Sequence, residues 1–280
     1  RLAPEAEVPG WHQASLPALE LPVMVLTAGL ATFFPDRVGV PGAALAEGLR
    51  RQLEREGLPR FLAGQRWFAA KDALETVRIA AMAEWSARGG TWLLTIVSCA
   101  LRDRPPERYI LPLALAWEDQ QGEPQLRLSA ATLARVRQRA RMGVLYDAFA
   151  DDNFCMAALS AIGAGGRVAI GSDTLIFSPT AAYPRLMAGM PAEPAVRRLT
   201  EATNNAVVFG EHLLLKGSRR LRPGVDLALE MGRFLTEHAP EVHAVPVGGS
   251  IELEGGDGTV STLATLHGYV ENQGDAWSYT

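Results

Sequence analysis

The sequence predicts an α+β fold of mainly antiparallel sheets with helices packed on them. Three observations carry this expectation. Apolar, strand-length runs follow one another at 76–85, 91–100 and 108–117, separated only by Gly89-Gly90 and Arg104-Pro105-Pro106-Glu107. Connections of a few residues allow antiparallel pairing and exclude crossovers. A second set of strands is announced by Val207-Val208-Phe209-Gly210-Glu211-His212-Leu213-Leu214-Leu215-Lys216, an apolar run, a Gly turn and another apolar run. Between and beyond these strands lie short amphipathic helices rather than a regular βαβ alternation.

The elements follow in chain order. Residues 1–42 are broken by Pro4, Pro9, Pro17, Pro22, Pro35 and Pro41, leaving one strand-like segment at 23–27, and read as a linker from an upstream domain. Residues 43–56 form a helix, because Leu45, Leu49 and Leu53 recur on one face while Arg50, Arg51, Glu54 and Arg55 cover the other. Leu58-Pro59-Arg60-Phe61-Leu62-Ala63-Gly64-Gln65-Arg66-Trp67-Phe68-Ala69-Ala70-Lys71 comes next, with Trp67 and Phe68 as anchors between helix and sheet. After the three-strand meander, 126–128 leads into Arg135, Arg137, Arg139 and Arg141 at alternate positions. This reads as one solvated strand face rather than an anion patch. Asp151-Asp152-Asn153 caps a helix over 154–162, which Gly163-Ala164-Gly165-Gly166 closes; capping accounts for these acids without a metal. A strand pair over 167–178 turns at Gly171-Ser172-Asp173. The Pro-, Ala- and Gly-rich stretch 179–195 then divides a first unit, 43–190, from a second, 191–280. In the second unit, strands are expected over 196–199, 206–209, 212–216, 244–253 and 260–270, with a turn at Gly255-Gly256-Asp257-Gly258.

Composition narrows the function classes. The chain has 280 residues, 48% of them hydrophobic, enough for a sizeable core. A net charge of −4 gives no electrostatic footprint for nucleic acid. No apolar run reaches the ~20 residues that span a bilayer, and the N-terminus does not read as a secretory signal, so a cytoplasmic protein is expected. Cys99 and Cys155 both sit in apolar runs and read as packed thiols of a reducing compartment. The chain begins at Arg1 rather than Met and is read as a piece of a longer protein.

The chemistry concentrates around Lys216. Thr200-Glu201-Ala202-Thr203-Asn204-Asn205 is small and polar and lies between two strands. Short side chains there let backbone N–H groups approach phosphate oxygens. Lys216 ends the following buried strand, and a buried ammonium needs a partner. Fourteen residues on, Glu230 falls at the edge of the apolar arc of Leu227, Met231, Phe234 and Leu235 and is able to supply one. On spacing alone the two also suit a solvated surface pair. A strand lysine, a helix glutamate and a small-residue loop together form the nucleotide-holding half of a protein-kinase-like phosphotransferase.

Two further segments carry a resemblance. Lys216-Gly217-Ser218-Arg219-Arg220-Leu221-Arg222-Pro223-Gly224-Val225-Asp226 leading into Leu229-Glu230-Met231-Gly232-Arg233-Phe234-Leu235-Thr236-Glu237, with Val270-Glu271-Asn272-Gln273-Gly274-Asp275-Ala276-Trp277 beyond, resembles the maltokinase family. Upstream, the Arg66-Trp67-Phe68 segment and Tyr146-Asp147-Ala148 are similar to that family's N-terminal cap. Pro9-Gly10-Trp11-His12-Gln13 looks like the linker seen where a trehalose synthase is fused to its maltokinase.

The resemblance implies a cap subdomain over 43–190 and, over 191–280, the N-lobe of a kinase-like, aminoglycoside-phosphotransferase-like fold. It further implies transfer of phosphate from ATP to maltose with Mg²⁺, beside a trehalose synthase domain in cis or in trans. Lys216 would contact phosphate, Glu230 would hold Lys216, Thr203, Asn204 and Asn205 would form the loop over the nucleotide, and backbone groups of Gly268 and Val270 would hold adenine. The family loop often reads Ser-Asn-Thr-Ser, and here Ala206 stands at the last hydroxyl of Thr203-Asn204-Asn205-Ala206. No His-Gly-Asp segment occurs, so the catalytic base and metal ligands are expected beyond Thr280, and 1–280 alone is expected to be inactive. The alternatives are a related kinase for another sugar and a non-catalytic docking module.

Overall fold

A computed structural model describes residues 21–35, 43–121, 128–199, 205–239 and 241–271. The fold is α+β and its sheets are almost wholly antiparallel, as the short connections require.

The first sheet contains β1 (Val23–Val25), β2 (Leu74–Ala87), β3 (Gly90–Leu101), β4 (Arg104–Trp117), β5 (Thr132–Gln138) and β6 (Arg141–Asp147), in the order β1-β5-β6-β4-β3-β2. Its three long strands are the meander read from the sequence, each extended by a few residues. Leu93–Val97 of β3 is buried on both sides, because this sheet lies between two layers. One layer is helical: α1 (Ala43–Gln52) passes through a π turn, Leu53–Gly57, directly into α2 (Leu58–Gly64). Glu54 in the π turn is buried and accepts from the Ile79 backbone N–H at 2.7 Å, fixing the helix to β2. Leu49, Leu53, Leu58 and Leu62 pack against Leu93, Val97, Cys99 and Leu111. Phe68 is fully buried at this junction, with Trp67 set edge-on against it at 6.2 Å.

Residues 1–42 were expected to be linker, but their described part is built into this core. β1 pairs in parallel with β5, and Met24, Leu26, Leu30 and Phe33 are buried there. Prolines at the ends of 23–33 left room for a short apolar segment that the sheet captures.

After α3 (Glu118–Gln121) and β6, α4 (Asp152–Ala164) is capped at its start by Asp151, which accepts from the Asn153 N–H at 3.0 Å, and closed by left-handed Gly165. The second sheet contains β7 (Arg167–Ile170), β8 (Asp173–Pro179), β9 (Val196–Arg198), β10 (Asn205–Phe209), β11 (Leu213–Gly217), β13 (Val247–Glu254) and β14 (Val260–Gly268). Its order is β7-β8-β13-β14-β11-β10-β9. The short β12 (Arg220–Leu221) leaves it and pairs instead with β4 of the first sheet. α5 (Tyr183–Met187) lies in the connection from β8 to β9, and α6 (Leu227–His238) crosses from β12 to β13.

The division at residue 190 runs through this second sheet, since β8 pairs with β13 over six residue pairs. One face of the second sheet, carrying Val207, Phe209, Leu215, Ile251 and Leu266, packs on Trp92, Leu94, Ile96 and Ile110 of the first sheet and on α4. The layers thus run helix, sheet, sheet, helix, with α6 on the outer face of the second sheet.

Candidate functional site

The site is built on the outer face of β10, β11, β13 and β14. The hairpin between β10 and β11 turns at Gly210 and Glu211, with φ of 51° and 59°, the two left-handed residues of a type I′ turn. Its register places Lys216 opposite Ala206 and Thr265, and Thr265 opposite Ser250. Residues directly opposite share a face. The α6 side chain Arg233 donates to Ser250 Oγ, so Lys216 lies on the face that α6 covers, two strands away from it. A strand lysine and the Glu230 helix are therefore brought to one side of one sheet.

The expected pair between them is not formed. Lys216 is exposed, so water solvates its ammonium and the reason for demanding a buried partner is gone. Glu230 is exposed too, and no ion pair or hydrogen bond joins it to Lys216. α6 rests on β13 through Leu229, Gly232, Arg233 and Thr236: Leu229 is fully buried, and Thr236 Oγ1 accepts from the Val247 N–H at 2.9 Å. The arc of Leu227, Met231 and Phe234, expected to face inward, is exposed instead. Glu230 stands about 100° round the helix from Leu229. Hydrophobicity marked the arc; the glycine and hydroxyl that let the helix approach the sheet mark the face that is buried.

His267 sits on the same outer face and is half-buried. Burial, and then the Lys216 charge, holds its imidazole below the ordinary histidine range. At the end of β14, the Gly268 N–H already donates to the Pro246 carbonyl at 2.9 Å, and the Tyr269 N–H to the His212 carbonyl at 2.8 Å. Val270 follows and is exposed. Thr203 and Asn204 lie outside the described residues. Asn205 begins β10 opposite Gly217, half-buried.

Sequence reasoning missed the most buried charged pair of the molecule's described part. Arg219 and Asp147 are 4% and 5% exposed, and two hydrogen bonds join them, Nη1 to Oδ1 at 3.0 Å and Nη2 to Oδ2. The Arg219 guanidinium also lies 4.7 Å from the Trp67 ring and 4.5 Å from the Phe149 ring. A cleft of about 390 Å³ opens beside it, bounded by Gln65, Trp67, Phe149, Arg198 and Asn205. The signals available were Tyr146-Asp147-Ala148 at the end of a strand and an arginine three residues past Lys216, but nothing in spacing joins positions so far apart.

Among the described residues no group of three or more His, Cys, Asp or Glu side chains gathers to hold a metal ion. No helix of the described residues is long and apolar enough to cross a membrane.

Residues 61–151 match the family described as the maltokinase N-terminal cap domain. That segment runs from α2 through the meander to the turn after β6, and contains both Trp67 and Asp147. No curated protein matches the chain. Among solved structures it is similar to a glucosamine kinase in complex with glucosamine, ADP and inorganic phosphate, at 16% identity and a TM-score of 0.43, over 79% of this chain and 43% of that one. Glucosamine kinase in its crystal form B matches at 16% identity and a TM-score of 0.42, over 75% of this chain and 39% of that one. The chain thus spans less than half the length of these structures.

Proposed function

We propose that this chain is the N-terminal part of an ATP-dependent maltokinase, which transfers phosphate from ATP to maltose to give ADP and maltose 1-phosphate. The observation that carries the reading is a segment, 61–151, that matches the maltokinase N-terminal cap and packs on the back of a sheet whose outer face carries both Lys216 and, two strands away, the Glu230 helix. The sugar-kinase reading rests on that match; maltose as the substrate, and a trehalose synthase domain in cis or in trans, rest on the resemblance of the segments quoted above.

In this reading the nucleotide lies against the outer face. Lys216 contacts phosphate oxygens, and Asn205 with Thr203 and Asn204 forms the loop over them. The Gly268 and Val270 backbone takes the adenine edge; the Gly268 N–H is engaged by the Pro246 carbonyl, so Gly268 contributes its carbonyl. Glu230 is the proposed partner of Lys216 in the nucleotide-bound protein, a pair that this structure does not form. The sugar's anomeric hydroxyl oxygen bonds to the γ-phosphorus while the bond from that phosphorus to ADP breaks. The hydroxyl proton passes to a base outside residues 1–280, where the Mg²⁺ ligands also lie. Positioning and charge stabilisation supply the acceleration in such a transfer. The cytoplasm is the proposed location.

The test is an assay of the intact protein with radiolabelled ATP, Mg²⁺ and a panel of sugars. Maltose 1-phosphate is expected, and Lys216→Ala should lower turnover about 10²-fold or more, as for loss of a preorganised phosphate contact. Phosphorylation of other sugars and not maltose would replace the substrate. No transfer to any sugar would leave a docking module.

A further inference from the structure

A cleft of about 250 Å³ opens between β12 and the β13–β14 hairpin, at the rim of the core that the two sheets share. Leu221 and Leu253, both members of that core, give it an apolar wall. Arg108, Arg220 and Arg222 also line it. Two of these guanidiniums belong to ion pairs built with the acid inside and the base outside. Arg108 is 43% exposed and its partner Asp173 6%, while Arg220 is 41% exposed and its partner Glu107 13%. Both acids are also held from behind: Asp173 accepts from the Gly256 N–H at 3.1 Å, and Glu107 from the Tyr109 hydroxyl. Each pair is neutral in sum but turns its cation to solvent. Arg222 is exposed, and its side chain makes no hydrogen bond or ion pair among the described residues. Asp257, on the neighbouring turn, has its carboxylate engaged by the Thr259 N–H and hydroxyl, at 3.0 and 2.7 Å. A second observation, independent of charge, concerns the same cleft. Ser261 stands opposite Leu253 and so shares its face. It lines the cleft and is 7% exposed, yet its hydroxyl has no hydrogen-bond partner among the described residues. A hydroxyl so placed is free to donate to a ligand oxygen.

We propose that this cleft binds a phosphate dianion, free or carried by a small phosphomonoester, through Arg108, Arg222 and Ser261. Guanidinium forks match phosphate oxygens in geometry as well as in charge. Asp173 engages only Nη2 of Arg108, so further N–H donors of that side chain remain for an oxyanion. Two guanidiniums and a hydroxyl suit three oxygens, which is what a phosphomonoester presents and more than a carboxylate has. The wall of Leu221 and Leu253 faces the body of an ester. Leu253 lies on the core side of the second sheet and Lys216 on its outer face, so this site is separate from the one proposed for nucleotide and does not depend on it.

The experiment titrates the intact protein with inorganic phosphate and, separately, with glucose 6-phosphate, reading heat in a calorimeter. The parent is compared with Arg222→Ala, Ser261→Ala and Lys216→Ala. Saturable binding of at least one probe is expected in the parent. Arg222→Ala should weaken it about tenfold or more, as for loss of a bond to a charged group, and Ser261→Ala about threefold, as for loss of a neutral one. Lys216→Ala should leave it unchanged. Arg222 is exposed and Ser261→Ala strands no partner, so both variants keep the core intact. Tighter binding of glucose 6-phosphate than of inorganic phosphate would assign the site to an ester, and equal affinities would assign it to the dianion alone. Saturable binding of neither probe would overturn the proposal. So would parental affinity in Arg222→Ala, or a loss confined to Lys216→Ala, which would place the bound phosphate on the outer face instead.

Discussion

Replacing Asp147 with alanine should be among the most damaging single changes in the chain. Asp147 and Arg219 are both nearly inaccessible, and their two hydrogen bonds leave the guanidinium between the Trp67 and Phe149 rings. Removing the carboxylate strands that cation where water does not reach, which costs about 3–5 kcal/mol. In a protein of this size that corresponds to a fall in Tm on the order of 10 °C. The exposed pair of Arg51 with Glu47, 55% and 50% accessible, is the internal control: breaking it should cost about 0–1 kcal/mol. Removing both charges of the buried pair at once, as Asp147→Leu with Arg219→Met, should restore most of the loss, because apolar side chains of similar volume carry no desolvation cost. Urea unfolding followed by circular dichroism reads all four proteins. An Asp147→Ala loss no larger than that of Glu47→Ala, or a double variant as weak as the single, would refute the account of this pair as a desolvated charge held by its partner.

Two further outcomes follow from titratable groups. Burial pushes both thiols, Cys99 and Cys155, up to about 12, so at pH 8 neither should react with a thiol-labelling disulfide until the protein unfolds; two equivalents labelled at once in the folded state would contradict this. His267 has a folded pKa below its unfolded value of 6.5, so the unfolded state binds the proton more readily. Its contribution to stability is therefore complete above pH 6.5 and declines as pH falls through the lowered value. NMR titration should show Lys216→Ala raising the His267 pKa toward the ordinary value, and no change would remove Lys216 as a cause.

What could be read from the sequence was local. The β2–β4 meander, the α4 caps and the β10–β11 turn are each decided by neighbours in the chain: short connections, an aspartate at N-cap, a left-handed pair after Phe209. The outer-face placement of Lys216 was less direct, and its reason was misjudged. An apolar strand ending in lysine suggested a buried ammonium, whereas the last turn of the strand reaches solvent and the charge stays wet. The orientation of α6 failed for a related cause. Periodicity identifies the most apolar arc, but a helix lies where backbone can approach closely. Here Gly232 sits against Val247, so closely that an added Cβ would come within 2.6 Å of Val247 Cγ2. Arg219 and Asp147 were illegible, because only the folded chain brings residue 147 beside residue 219.

The composition break at 179–195 illustrates how a connection differs from a folding boundary. Prolines and glycines there mark where the chain ceases to be regular, and the chain does cross from β8 to β9 in that stretch. Hydrogen bonding follows another division: β7 and β8 precede the break yet belong to the second sheet, and β12 follows it yet pairs with the first. Both sheets then bury one face in a single shared cluster, in which Trp92 and Ile110 of one meet Phe209 and Leu215 of the other. Buried apolar area on this scale couples the parts it joins. The two sheets are therefore joined twice over, by this shared core and by the strands β7, β8 and β12 that cross the composition break. The sheet that carries Lys216 is thus built on a core that both sheets supply, and a substitution in that core reaches the Lys216 strand through Leu215.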